Sequence, residues 1–395
     1  MRRRLRRALL AAVLACVTVA GTAGATFGTE QDPVTGPPPG AADWRADQVL
    51  GRPLPDPATA SPGRVAAFFD GLTASQRATL ARRHPLTVGN LDGAPTALRY
   101  RANRLALREE RDAALTRSTA AGLTAQQHRL ARKQAARYTE LLAPQRQILA
   151  FDPRGRGQVA EVYGDLARAR RTAVFVPGSD IDLTTFDDGG ADRYGRPAAM
   201  ARSLRARMHR QAPDTRTAVI AWVGYTTPVG VGPDAATGRL AESGAPRLTR
   251  FLHGLARTGA PAPALLCHSY GSVVCGLAAG QLDRRDASGL VFFGSPGVHA
   301  DSVSALRTPV PVWAARAPDD WIRHVPHVRF LGLGHGGDPV RPGFGARVVT
   351  AADADGHSGY LRPGTDSLAS FAAIALRTYG SVHCLTTSQE CRDVH

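Results

Sequence analysis

The sequence predicts an α/β domain: a mostly parallel sheet with helices on both faces, preceded by an α-helical segment. Three observations carry this. After residue 150 short apolar runs alternate with helical stretches. Those runs are apolar throughout rather than at every second position, as in strands buried on both faces. Between residues 65 and 149 the apolar spacing is helical instead.

In chain order, the first element is a targeting segment. Residues 2–7 hold five arginines, residues 8–20 are apolar, and Ala23-Gly24-Ala25 fits a small-residue cleavage site. Residues 1–25 are therefore expected to be a signal peptide and the protein to be secreted. The alternative is a membrane anchor left uncleaved, since residues 8–29 carry no charge. Residues 26–62 hold eight prolines and read as an extended linker.

From 63 to 150 a helical segment is expected. It opens with Phe68, Phe69, Leu72 and Leu80, and continues in a charged run over 97–143 that reads as a surface-facing helical hairpin or small bundle. The α/β domain then fills 151–395. Its strands are expected at 159–163, 172–176, 217–223, 262–267, 290–293, 310–314 and 346–351. Leu248, Phe251, Leu252 and Leu255 mark one intervening helix, and Leu368, Phe371, Ala372, Ala375 and Leu376 a last helix over 366–379.

Composition narrows the function. With 395 residues, 43% hydrophobic and 21% charged, the chain can bury a large core. Its 41 glycines and 28 prolines follow no period, which excludes collagen. The formal charge of +16, or +11 without the five N-terminal arginines, suggests a polyanion partner at first sight. Yet Lys133 is the one lysine beside 48 arginines, a skew that genomic base composition explains equally well. Lys133 has no glycine loop before it, so a phosphate-binding P-loop is excluded. Gly332-Leu333-Gly334-His335-Gly336-Gly337 lacks the following helix of a dinucleotide site. Nucleic-acid binding has no motif, while a basic surface can steer the protein to an anionic cell envelope. No metal site and no cofactor is expected.

Without Cys16, four cysteines remain: Cys267, Cys275, Cys384 and Cys391. An even number suits an oxidising compartment. Cys384 and Cys391 flank a short polar loop and are expected to pair. A Cys267–Cys275 bond is not expected, because it would strain the turn between them.

That turn carries the strongest chemical signal. Residues 264–274 read as a buried strand, a five-residue turn around Ser269, and a helix start. A nucleophilic serine on a sharp strand-to-helix turn needs small residues two before and two after it. Gly271 meets the second requirement, and Cys267 stands where glycine is usual. Such a serine needs a base and an orienting acid, expected later in the chain in the order Asp, then His. Asp320 and His357 lie on loops after strands and are taken as acid and base, with Asp319 and His335 as their competitors. His268 is expected to brace the turn. Oxyanion stabilisation needs two amides; Tyr270 and Ser179, the latter in Pro177-Gly178-Ser179-Asp180, are placed to supply them.

Phe151-Asp152-Pro153 with Gly157, Tyr163-Gly164-Asp165, VFVPGSD, AWVGYTTP, CHSYGS, FFGSPG, APDDWI, FGA and GHSGY occur in that order. Upstream lie Gly89-Asn90-Leu91-Asp92-Gly93-Ala94-Pro95, Arg99 and Ala102-Asn103-Arg104. Across residues 65–380 the series resembles a family of actinobacterial α/β-hydrolases known mainly as a domain of unknown function. The resemblance implies an α/β-hydrolase fold with triad positions at Ser269, Asp320 and His357, and supplies no substrate. The expected activity is hydrolysis of a small-molecule or lipid-like carboxylic ester, or of an amide or thioester, through an acyl-enzyme. The rivals are an acyltransferase with the same residues and a non-catalytic exported binding or scaffold protein.

Overall fold

The computed structural model describes residues 30–190, 193–385 and 391–394. The expected signal segment 1–25, with Cys16, lies outside the described residues.

Eight strands form one sheet: β1 (Ile148–Asp152), β2 (Gln158–Gly164), β3 (Arg171–Val176), β4 (Thr217–Val223), β5 (Ala264–His268), β6 (Gly289–Phe293), β8 (Val312–Ala315) and β10 (Arg347–Val348). Their order is β1-β2-β4-β3-β5-β6-β8-β10. β2 runs antiparallel to both neighbours, and the remaining pairings are parallel. β7 (Gly297–Ala300) and β9 (His335–Gly336) pair separately. The helices are α1 (Ala41–Ala46), α2 (Pro62–Asp70), α3 (Ala74–Arg83), α4 (Pro85–Asn90), α5 (Thr96–Thr119), α6 (Ala125–Leu141), α7 (Pro197–Gln211), α8 (Pro233–Ala236), α9 (Arg239–Arg257), α10 (Gly271–Ala279) and α11 (Asp366–Leu376).

Strand alternation explains the continuous apolar runs. On β3, Val174 and Val176 face the core under α9 and α10, while Ala173 and Phe175 face the core under α7 and α11. Leu265 and Cys267 on β5 share the first core; Ala264 and Leu266 share the second. Both faces are covered, so every position is buried. This is the mostly parallel, two-sided sheet the sequence predicts.

Four sequence expectations change. Residues 30–62 are packed against the body and do not form an extended spacer. Trp44 on α1 is fully buried in a core with Val65, Phe69 and Leu80, and its indole donates to Pro55 O at 2.7 Å. The prolines leave residues 41–46 free to form α1 and do not prevent burial. The strand β1 begins at Ile148, inside the segment expected to be helical, and the strand expected at 346–351 shrinks to Arg347–Val348 at the sheet edge. The 97–143 run is the hairpin α5–α6, yet Leu107 and Leu141 are buried against Ile148 and Phe151; Leu115 and Leu130 remain exposed. Thr124 caps α6 reciprocally with Gln127.

The Asn90 segment shields the β1 edge. Its amide donates to Phe151 O (2.7 Å) and its carbonyl accepts from Phe151 N (3.1 Å), supplying the bonds a neighbouring strand would make. Asn103 reaches Ile148 O, and the buried Arg99 binds Gly89 O and Asp92, tying α4, α5 and β1 together. Among the described residues no helix is long and apolar enough to cross a membrane.

Candidate active site

β5 ends at His268, Ser269 turns the chain, and α10 begins at Gly271. Ser269 sits at φ 54°, left-handed backbone that costs a non-glycine residue about 1–2 kcal/mol. Surrounding bonds hold it there: Ser269 N donates to Phe293 O (3.0 Å) on β6. The Ser272 hydroxyl donates to Cys267 O (3.0 Å). A side chain on Gly271 would strike the carbonyl oxygens of Val176 and Pro177, so the close passage of α10 over the end of β3 requires glycine.

Cys267 and Cys275 are disulfide-bonded, which overturns the expectation that they stay apart. Strand alternation points Cys267 toward α10, and the sharp turn brings the helix back over the strand. Their Cα atoms are 6.4 Å apart, inside the range that disulfides span without backbone movement. Cys384 and Cys391 are paired as expected, with Cα atoms 5.6 Å apart.

The elbow, the loop after β8 and the loop after β10 meet. His357 Nε2 lies 2.9 Å from Ser269 Oγ, and His357 Nδ1 lies 2.8 and 3.0 Å from the two Asp320 carboxylate oxygens. Asp320 is fully buried, whereas Ser269 and His357 are half-buried and reachable. Burial pushes the Asp320 carboxyl up, but bonds and charge from His357, Tyr360 and Ile322 outweigh it and hold the carboxyl below its ordinary value. The Tyr360 hydroxyl donates to Asp320 Oδ2 at 2.6 Å and accepts from Ala317 N; Ile322 N donates to Oδ1 at 2.9 Å.

The competitors go elsewhere. Both oxygens of Asp319 accept from Gly356 N at 3.0 Å, so Asp319 fixes the His357 loop without touching the ring. His335 is buried, binds Ala235 O at 2.7 Å and stands edge-on to Tyr270. Burial lowers its pKa to about 4. His268 donates from Nε2 to His357 O (2.7 Å), and burial followed by the nearby His357 lowers its pKa to about 3. It is a neutral brace under the turn.

The 177–180 loop lies against Ser269. A Cβ at Gly178 would sit 2.6 Å from Ser269 Cβ and 3.1 Å from Tyr270 N. Two residues that the sequence reading left without a role hold this loop: the Tyr225 hydroxyl donates to Pro177 O (2.6 Å) and the Thr227 hydroxyl to Ile181 O (2.8 Å). Asp180 N donates to Pro228 O, from the same segment. Tyr360, Gly294 and Trp321 were also unassigned. Gly294 sits at φ 54°, and a Cβ there would come within 3.1 Å of Asp320 Oδ2 and of the His357 ring, so the close packing of this loop on the pair requires glycine. Trp321 stands 4.8 Å from the His357 ring, centroid to centroid. A cavity of about 650 Å³ lies away from this site, among Arg171, Arg257, Arg284 and Arg377 at the amino ends of the strands.

A sheet of this order, with an elbow after its fifth strand, defines the α/β-hydrolase fold. The family model described as "Alpha/beta hydrolase" matches residues 152–330, which bears out the resemblance read from the motif series. Two uncharacterized proteins of Mycobacterium tuberculosis, from two strains, are each 28% identical over 380 aligned residues covering 82% of this chain. The match covers 56% of their length, so the chain spans about half of these curated relatives. Among solved structures, the 2,6-dihydroxy-pseudo-oxynicotine hydrolase is 12% identical, with 89% of this chain and 96% of that one covered, at TM-score 0.37. A predicted CIB-like hydrolase from Thermoplasma acidophilum is 11% identical, with 59% and 96% covered, at TM-score 0.34.

Proposed function

We propose that this α/β-hydrolase is an exported serine hydrolase that cleaves a carboxylic ester through an acyl-enzyme on Ser269. The observation that carries the reading is the continuous Asp320–His357–Ser269 chain of hydrogen bonds at 2.8 and 2.9 Å, ending on the strained elbow. Ser269 Oγ attacks the acyl carbon while His357 Nε2 takes its proton. Asp320 holds the imidazole with Nδ1–H inward and stabilises the imidazolium. The amides of Tyr270 and Ser179 stabilise the oxyanion. His357 returns the proton to the leaving alkoxide, and water, deprotonated by His357, then releases the acid and frees Ser269. Amides and thioesters present the same acyl carbon and are the neighbouring substrates.

Export is supported by the two disulfides and by the arginine-plus-apolar start of the sequence. N-terminal sequencing of protein recovered outside the cell tests it. For the chemistry, wild type is expected to label with a fluorophosphonate and to cleave p-nitrophenyl esters in a chain-length series. Ser269→Ala is expected to do neither while keeping its fold. Labelling of Ser269→Ala equal to wild type refutes the assignment.

A further inference from the structure

The glycine-rich loop beside the site has a use that no nucleotide explains. From Trp321 to Gly334 the chain reads WIRHVPHVRFLGLG, with no acidic residue. Trp321 is 43% and Leu331 86% exposed, and Val328, Phe330 and Leu333 are exposed with them. Single exposed apolar side chains are ordinary, but five within thirteen residues mark an interaction surface.

Both stems of this segment frame the Ser269 site. At one end Trp321 packs on His357. In between, His327 Nε2 lies 3.3 Å from Ser295 O, in the loop behind the His357–Asp320 pair. At the other end His335 stands against Tyr270, the residue after the nucleophile, while Leu333 bridges Thr237.

The tip is a two-residue hairpin. Phe330 N donates to Leu333 O (2.9 Å) and Leu333 N to Phe330 O (3.0 Å), with Leu331 at φ 51° and Gly332 at φ 82°. Such a turn favours Asn-Gly. Leucine at its first position is disfavoured by the backbone and is pushed into water, so folding alone does not account for it.

Within 321–334 the charge is one-sided, while the exposed Asp319 lies two residues before Trp321, bonded to Gly356 N. Arg323 and Arg329 are exposed, and Arg329 forms no ion pair among the described residues. The nearest acid along the chain on the C-terminal side, Asp338, is buried and committed to Arg316 at 2.6 Å. His324 and His327 add no negative charge.

We propose that the 328–333 hairpin, together with Trp321, docks the protein on an anionic lipid surface. Its apolar side chains enter the acyl layer, and Arg323 and Arg329 meet the phosphate headgroups. In this pose the Ser269 site opens onto the membrane, and its substrate is an ester held there. The substrate part rests on the hydrolase reading above; the docking does not.

Trp321 supplies the reporter, because Trp44, Trp222 and Trp313 are buried and residues 1–29 contain no tryptophan. The full chain carrying Ser269→Ala, which removes turnover, is titrated with vesicles of phosphatidylglycerol bearing brominated acyl chains, and with brominated phosphatidylcholine. The expected result is quenching of emission on phosphatidylglycerol that disappears in Trp321→Phe, with apparent affinity at least tenfold weaker on phosphatidylcholine. Leu331→Asn, which the turn prefers, keeps the thermal midpoint and weakens binding at least tenfold. Arg329→Ser weakens it and flattens its salt dependence. Unquenched Trp321 on phosphatidylglycerol, or undiminished binding by Leu331→Asn, overturns the docking. A failure of Ser269 to label would sink the hydrolase reading and leave the docking result untouched.

Discussion

Replacing Asp320 by asparagine, beside the same change at Asp319, tests the site at its sharpest point. The two acids are adjacent in sequence and have different geometry. Asp320 is fully buried and accepts four bonds: two approaches from His357 Nδ1, one from the Tyr360 hydroxyl and one from Ile322 N. In Asp320→Asn the Ile322 amide fixes the carbonyl oxygen at the Oδ1 position. The new NH₂ then faces both His357 Nδ1 and Tyr360. It favours the imidazole tautomer with the proton on Nε2, which cannot accept a proton from Ser269, and it removes the charge opposite the imidazolium. Loss of the orienting carboxylate in such a triad lowers turnover about 10⁴-fold, or about 5.4 kcal/mol of barrier. Asp319→Asn keeps an oxygen for the Gly356 amide, its one backbone partner here, and is expected to stay within about tenfold of wild type. The assay is kcat on a p-nitrophenyl ester, with covalent labelling rate as a second readout. Equal losses, or the larger loss at Asp319, would refute the assignment of the acid.

Three further outcomes follow from the same geometry. Gly178→Ala places a Cβ 2.6 Å from Ser269 Cβ and 2.9 Å from its Oγ; displacement of the nucleophile by several tenths of an ångström should lower kcat about 100-fold with the thermal midpoint little changed, and unchanged kcat would show the loop to be remote from the reaction. His268 and His335 are held neutral, at about 3 and about 4 against an ordinary value of 6.5; because their folded values are depressed, the unfolded chain takes protons first, and each histidine should remove about 1.4 kcal/mol of stability per pH unit as pH falls from 6.5 toward 4. Urea unfolding at pH 7.5, 6 and 5 reads this, and His335→Gln should show a shallower loss than wild type. Replacing both Cys267 and Cys275 by serine opens an eight-residue separation, for which chain entropy gives about 2.5 kcal/mol in the midpoint of denaturation; a stability equal to wild type would mean that the bond constrains nothing in the unfolded chain.

What was legible in the sequence was what is local. Strand, serine turn and helix lie within 264–274, and the loops bearing Asp320 and His357 each follow a strand or strand-like run, so spacing alone places them. Tyr225 and Tyr360 act across 48 and 40 residues, on Pro177 O and Asp320, and no periodicity encodes such a contact. Trp44 was hidden for another reason: proline frequency over the whole segment passes over the proline-free stretch 41–46 that forms α1, and the burial of one indole depends on the cavity that α2 and α3 leave for it. The edge strand β10 was overestimated because Val349 and Ala351 are buried in the core they share with Trp313 and Tyr360, while the chain, after a last bond from Val349 N to Ala314 O on β8, turns to pair with residues 383–385. Apolar character there records burial more than strand length.

The misjudged disulfide and the missing glycine are one fact. A nucleophile turn needs a small residue two before the serine so that helix and strand can approach, and Cys267 supplies small volume while adding a bond to Cys275 across that same approach. The objection that the bond would strain the turn treats the elbow as relaxed without it. Ser269 is already held at positive φ by the bonds from Ser269 N to Phe293 O and from Ser272 to Cys267 O. A crosslink between the strand end and the second turn of α10 closes the angle that these bonds already impose. It therefore acts with the left-handed serine, as a further constraint against relaxation of the turn. The same logic accounts for His268, which follows Cys267 and pins the His357 backbone at 2.7 Å: His357 and Ser269 are fixed to one short stretch of β5, so their 2.9 Å separation depends on few soft degrees of freedom.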